Sequence, residues 1–233
     1  MQVIPAIDIA GGRSRIVFWP GVSTGVGAPT DRPERIAEHF VGIGAPLVHV
    51  VDFDGARQGR PMNLEAIGAI AGRVATPIQL AGGVASPDAI RLAFAAGATR
   101  IVVDTALADD PPLLRACLEI AGEWLAIGLD ARPDRLAAYP WRRPAPASVA
   151  TLVQDLAGQG VARFVLSHAT AGEGVANLAS VAHGVDAEIL VAGGVTDVGA
   201  IRRVRDAGAA AIILGEALLS GALDYATASE AAR

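Results

Sequence analysis

The feature that most constrains this chain is an internal echo. Ala81-Gly82-Gly83-Val84, followed by Ala89-Ile90-Arg91 and Ala96-Gly97-Ala98, returns 111 positions later as Ala192-Gly193-Gly194-Val195, Ala200-Ile201-Arg202 and Ala207-Gly208-Ala209. A short match means little in a sequence with 27 glycines. One offset shared across about 20 positions points instead to duplication of a supersecondary unit.

The unit can be read from eight short runs rich in Val, Ile and Leu: Val3–Ile7, Leu47–Val51, Pro77–Leu80, Arg100–Val103, Leu125–Leu129, Arg163–Leu166, Glu188–Val191 and Ala210–Leu214. Their near-continuous apolarity, without polar alternation, predicts strands covered on both faces, hence a parallel sheet. Amphipathic stretches lie between them. Thr30-Asp31, Ser86-Pro87-Asp88, Asp109-Asp110-Pro111 and Thr196-Asp197 supply helix starts, and Gly44, Gly97, Gly160 and Gly208 supply left-handed helix ends. Eight alternations predict an α/β fold, a (β/α)8 TIM barrel made of two (β/α)4 halves. The 233 residues suit one domain spanning 1–233.

Composition narrows the function classes. A formal charge of −5 and a sequence pI near 5.3 argue against a nucleic-acid partner, whose phosphates demand excess clustered cations, and the tight basic pair Arg142-Arg143 lies in a Pro-rich loop that reads as a solvated turn. Cys117, the single cysteine, lies in a predicted helix and reads as a buried hydrophobe in a reducing, cytoplasmic setting. No basic leader precedes Val3 and no apolar run reaches membrane-spanning length, so neither export nor membrane insertion is expected. The sequence sets no oligomeric state.

Three connections are longer than such folds usually need: 9–30 after strand 1, 131–146 after strand 5 and 168–176 after strand 6. All follow strand C-termini, the catalytic side of a barrel. Gly11, Gly12, Gly21, Gly25 and Gly27 in the first, with Gly172 and Gly174 in the third, suggest lids over a ligand.

Asp8 ends strand 1 and Asp130 ends strand 5, equivalent and diametrically opposed places in a duplicated barrel. A lone strand-end Asp more often caps a helix or pairs with Arg. Two at symmetry-related positions favour catalysis, one carboxylate accepting a proton while the other donates. Gly193 and Gly194 after strand 7, with Gly215 after strand 8, fit a phosphate-binding site at the place where this fold often builds one, although a paired glycine also serves any tight turn. His168, at the mouth of strand 6, could act as acid, base or phosphate contact. His39, His49 and His183 read as surface or packing residues.

Val3-Ile4-Pro5-Ala6-Ile7-Asp8, His49-Val50-Val51-Asp52-Phe53-Asp54-Gly55-Ala56, Gln79-Leu80-Ala81-Gly82-Gly83-Val84, Asp130-Ala131-Arg132 and Ala192-Gly193-Gly194-Val195 resemble the HisA/HisF family of histidine biosynthesis in order along nearly the whole chain. The resemblance is nearer HisA, the isomerase of a phosphoribosylated aminoimidazole carboxamide, than the cyclase HisF. It implies a barrel binding a phosphorylated small-molecule substrate with no metal and no organic cofactor. Asp8 would be the general base and Asp130 the general acid of an Amadori-type aldose-to-ketose rearrangement. Arg15, Asp52, Gln79, Trp141, Ser167 and His168 would contact substrate.

Several positions depart from the family pattern. Ala85 stands where an arginine usually follows the first glycine pair, Asp104-Thr105 replaces Gly-Thr at the first phosphate site, Ser167-His168 replaces Thr-Asp, and Glu216 stands where Lys is common. The changes cluster at substrate contacts while fold-defining positions are kept. Two other readings therefore stand beside the isomerase: a relative recruited elsewhere, for instance to biosynthesis of a one-carbon carrier such as tetrahydromethanopterin or methylofuran, and a non-catalytic metabolite-binding barrel.

Overall fold

A computed structural model describes residues 1–20, 28–142, 144–170 and 172–233. Gly21, Gly25 and Gly27 of the expected first lid, and Arg143 of the basic pair, lie outside the described residues. Eight strands form the wall: β1 (Gln2–Ala10), β2 (Val48–Asp52), β3 (Ile78–Ala81), β4 (Arg100–Val103), β5 (Leu125–Asp130), β6 (Arg163–Ser167), β7 (Glu188–Ala192) and β8 (Ala211–Leu214). Each pairs in parallel with its successor, and β8 closes on β1 with Val3 opposite Ile212. The sheet is a closed (β/α)8 barrel.

Burial on both faces explains the continuous apolarity. Ile4, Ala6, Leu47, Val102, Ala126, Val165, Leu190, Ala211 and Ile213 fill the barrel interior. The alternate residues, among them Ile7, Val50, Leu80, Ile101, Ile127, Phe164, Val191 and Ile212, pack outward against the helices. Successive side chains on a strand point to opposite faces. Inward residues therefore run Ile4, Ala6, Asp8 on β1 and Ala126, Gly128, Asp130 on β5, and the last of each trio emerges at the mouth.

Helix starts follow local capping chemistry. Ser86, Asp110 and Asp197 each accept a backbone N–H from the residue three positions on, opening Pro87–Ala95, Pro111–Ala121 and Val198–Asp206. Gly44, Gly97, Gly160 and Gly208 all hold φ between 95° and 101°, as expected past helix ends. The first start differs from expectation. The helix Pro33–Gly42 begins after Arg32 without a side-chain cap, because the Thr30 hydroxyl is spent on the Arg32 N–H.

The long connections are more structured than their composition suggests. β1 runs on to Ala10 and turns back through Arg13–Ser14, antiparallel to it. The connection after β5 holds the helix Pro133–Ala138. The one after β6 is shorter than expected, since Glu173–Gly184 is already helical and Gly174 belongs to that helix. Cys117 is buried within its helix. Among the described residues no helix is long and apolar enough to cross a membrane.

Candidate active site

Two cavities open at the C-terminal ends of the strands and share Val51 in their walls. One, of about 500 Å³, is lined by Asp8, His49, Gly193, Gly194, Gly215 and Glu216 among others. The second, of about 370 Å³, is lined by Gly82, Gly83, Asp104, Asp130, Ser167 and His168 among others. Since β1 and β5 stand four strands apart in a ring of eight, the two carboxylates face each other across the mouth. A third space of about 500 Å³, lined by Gly12, Arg13, Arg32, Glu34, Asn63 and Glu65, is open to one side and receives neither carboxylate.

The two carboxylates rest in different electrostatic environments. Burial holds the Asp8 carboxyl above its ordinary range, with Arg15 opposing the shift and Glu216 adding to it. Burial also pushes Asp130 upward, but Arg132 outweighs it. The Arg132 backbone N–H and Nε both donate to Asp130 Oδ1, at 3.0 and 2.9 Å, its Nη2 donates to Oδ2, and the net shift is downward. His168 stands beside the same carboxylate, with Nδ1 3.7 Å from Oδ2. It also holds φ at 62°, a left-handed conformation that costs any residue with a Cβ about 1–2 kcal/mol. Its N–H donates to the Ala192 carbonyl, so the strained turn is tied to the end of β7.

Other expected contacts divide into those at the mouth and those beneath it. Arg15 donates its backbone N–H to the Asp8 carbonyl, and its guanidinium lies 4.1 Å from the Phe53 ring centre. Asp52 is fully buried and lines neither mouth cavity. Its Oδ1 accepts from Gly55 N–H and Asn63 Nδ2, and its Oδ2 from the N–H groups of Met62 and Asn63, at 2.6–2.9 Å. It fastens the loop after β2 and has no oxygen left for a ligand. Gln79 is also fully buried, below the mouth, between His49 Nδ1 at 3.0 Å and Arg100 at 3.2 Å. Trp141 lies against Tyr139, its indole N–H donating to the Leu136 carbonyl, away from both mouth cavities.

Two side chains of the site lay outside the expected set. His49, expected only to pack, is buried and also lines the Asp8 cavity. Burial first, and the Arg100 charge second, lower its pKa to about 4, so it is a neutral imidazole near pH 7. Arg132 follows Asp130 by two positions, and this spacing at a strand end is the sequence signal for the pair.

The glycine pairs of the two halves do different work. A Cβ on Gly82 would lie 2.2 Å from the Asp52 carbonyl oxygen, and one on Gly83 would lie 2.6 Å from the Arg60 carbonyl, so the loop after β2 already fills that space. A Cβ on Gly193 would meet nothing within 4 Å, although its φ of 74° still favours glycine. A Cβ on Gly194 would lie 2.8 Å from Thr170 Oγ1, so Gly193 is the open member, although both line the cavity.

Fold and mouth together define the class: a duplicated (β/α)8 barrel enzyme with two opposed carboxylates over a cavity for a small ligand. The model of the histidine biosynthesis protein family matches residues 2–224, and the chain belongs to that family. Its relatives include isomerases of 1-(5-phosphoribosyl)-5-((5-phosphoribosylamino)methylideneamino)imidazole-4-carboxamide. The one from Roseiflexus sp. (strain RS-1) is 34% identical over 98% of both chains. That from Gloeobacter violaceus is 34% identical over 100% of this chain and 94% of the relative. That from Chloroflexus aggregans is 33% identical over 96% of this chain and 94% of the relative.

Proposed function

We propose that this protein is a HisA-type isomerase that converts a phosphorylated amino-aldose into the corresponding amino-ketose by proton transfer between Asp8, Asp130 and the sugar. The observation that carries the reading is the placement of the two carboxylates on opposed strands, at the rims of adjoining cavities. Donation of a proton to the ring oxygen opens the sugar, and removal of the C2 proton yields an enolamine. The enolamine takes a proton at C1 while its C2 hydroxyl loses one. The net change moves one hydrogen from C2 to C1 and one from the C2 hydroxyl to the former ring oxygen, which two carboxyl groups can accomplish alone. The resemblance assigns the base to Asp8 and the acid to Asp130. Their resting shifts run the other way, so these roles require the ligand to draw Arg132 off Asp130.

A phosphate group of the substrate would sit against the turn of Gly193 and Gly194 together with Gly215, all three of which line the Asp8 cavity, with open space beside Gly193. Ser167 and His168, which line the Asp130 cavity, and Arg15, whose charge acts on Asp8, are the substrate contacts in this reading. Asp52, Gln79 and Trp141, named by the resemblance, support the site from behind or beside it. The isomerase names of the relatives favour this reading over recruitment to a one-carbon carrier and over a non-catalytic barrel.

The test is turnover of the relatives' substrate. We expect conversion by the wild type and a loss of about 10²-fold or more in kcat for Asp8→Asn and for Asp130→Asn, both folded, as for removal of a positioned acid or base. Undiminished kcat in either variant removes that residue from the mechanism. No conversion by the wild type or by Asp104→Gly would defeat the proposal.

A further inference from the structure

The internal duplication allows one half of the mouth to be read against the other. β4 ends at Val103 and β8 at Leu214, so the offset of 111 that relates the glycine pairs also places Asp104 opposite Gly215. At Gly215 the following helix, Glu216–Leu219, begins with no side-chain cap. Glu216 carries its carboxylate one position further on and is exposed. At Asp104 the carboxylate turns back instead, its Oδ1 accepting the Ala106 N–H at 2.8 Å, and caps the turn Thr105–Asp109. The first free N–H of the turn that follows β4 is thus taken by the protein's own anion.

Three further observations point the same way. The glycine pair of this half lines the cavity but is pinned on its other side by the backbone of Asp52 and Arg60, so it has little room to reshape around an anion. Among the described residues no arginine lines the cavity. Arg132, beside Asp130 in its wall, is spent on that carboxylate. A phosphate entering here would meet one carboxylate at the cap, a second across the cavity and, among the described lining residues, no arginine.

We infer that Asp104 is a specificity-determining residue that closes the first half of the mouth to phosphate, so that the ligand's end on this side is neutral or cationic. This rests on the mouth being the ligand site proposed above, and it ranks a compound with one phosphate, held in the second half, above the relatives' doubly phosphorylated substrate, which the wild type binds weakly and converts at high concentration. A doubly phosphorylated ligand is bound against the charge of Asp104. A hydroxyl or amine reaching this cavity finds an acceptor.

Calorimetric titration of the folded full chain tests this with two probes, the relatives' bis(phosphoribosyl) substrate and ribose 5-phosphate. Asp104→Asn removes the charge and keeps most of the cap, whereas Asp104→Gly reproduces the other half. Both should tighten the bis(phosphoribosyl) compound by about tenfold or more, the order for removing one like charge from a half-enclosed contact, and leave ribose 5-phosphate within about twofold. Unchanged affinity for the larger compound in both variants overturns the inference, as does an equal gain for ribose 5-phosphate. Tighter binding without ketose formation would sink the isomerase reading and leave Asp104 as assigned.

Discussion

Arg132 sets the charge at the mouth, because all three of its contacts with Asp130 favour the ionised carboxylate. Removing the guanidinium while keeping a neutral donor should let the Asp130 pKa rise. For Arg132→Gln the acidic limb of the kcat/KM profile, which reports the free enzyme, should therefore move to higher pH. An unmoved limb would mean that another group controls Asp130. At this scale the sequence was only partly legible. Asp8 and Asp130 stood out as strand ends, but which way an adjacent Arg turns depends on a rotamer that no spacing encodes. Gln79 shows the same limit. Its inward direction follows from strand alternation, whereas its depth beneath the mouth follows from the register of β3 against β4.

The loop after β2 shows how elements hold the site. Asp52 gathers four donors, Asn63 reaches on to Asp54 at 3.0 Å, and the Gly11 and Gly12 N–H groups bond to Asp54 and Asn63. The turn after β1, which leads to Arg15, is thereby tied to the loop after β2. Asp52→Ala would orphan buried N–H groups, and we expect it to lower unfolding stability by about 3 kcal/mol or more in urea titration. A loss below about 1 kcal/mol would show that the loop reorganises around the gap. Strands and most helix starts were legible because each is written locally, in continuous apolarity or in a capping residue before a proline. The hub was not. Its partners lie 10 and 11 residues ahead in a loop with no periodicity, and Asp52 in a family-like motif looked like a ligand contact.

At the scale of the molecule, duplication explains both what is shared and what differs between the two sides of the mouth. Closure of eight strands sets β1 against β5 and brings each glycine pair beside the carboxylate of the opposite half, Gly193 near Asp8 and Gly82 near Asp130. The barrel could be read from eight alternations of apolar strand and amphipathic helix, and its two halves from the repeat. The asymmetry between the cavities needed coordinates, since Gly82 and Gly193 look alike as letters and differ only in what a Cβ would strike. The central claim is that Asp8 and Asp130 act on one sugar lying between them. The most direct measurement is a crystal structure with the ketose product or a stable analogue bound. The account predicts C1 and C2 of the sugar between the two carboxylates, each within about 3.5 Å of its reacting atom, the separation at which proton transfer becomes geometrically productive, with a phosphate against Gly193 and Gly194. A ligand seated beside Arg13 and Arg32 outside the mouth, or one that engages a single carboxylate and leaves the other in solvent, would contradict it.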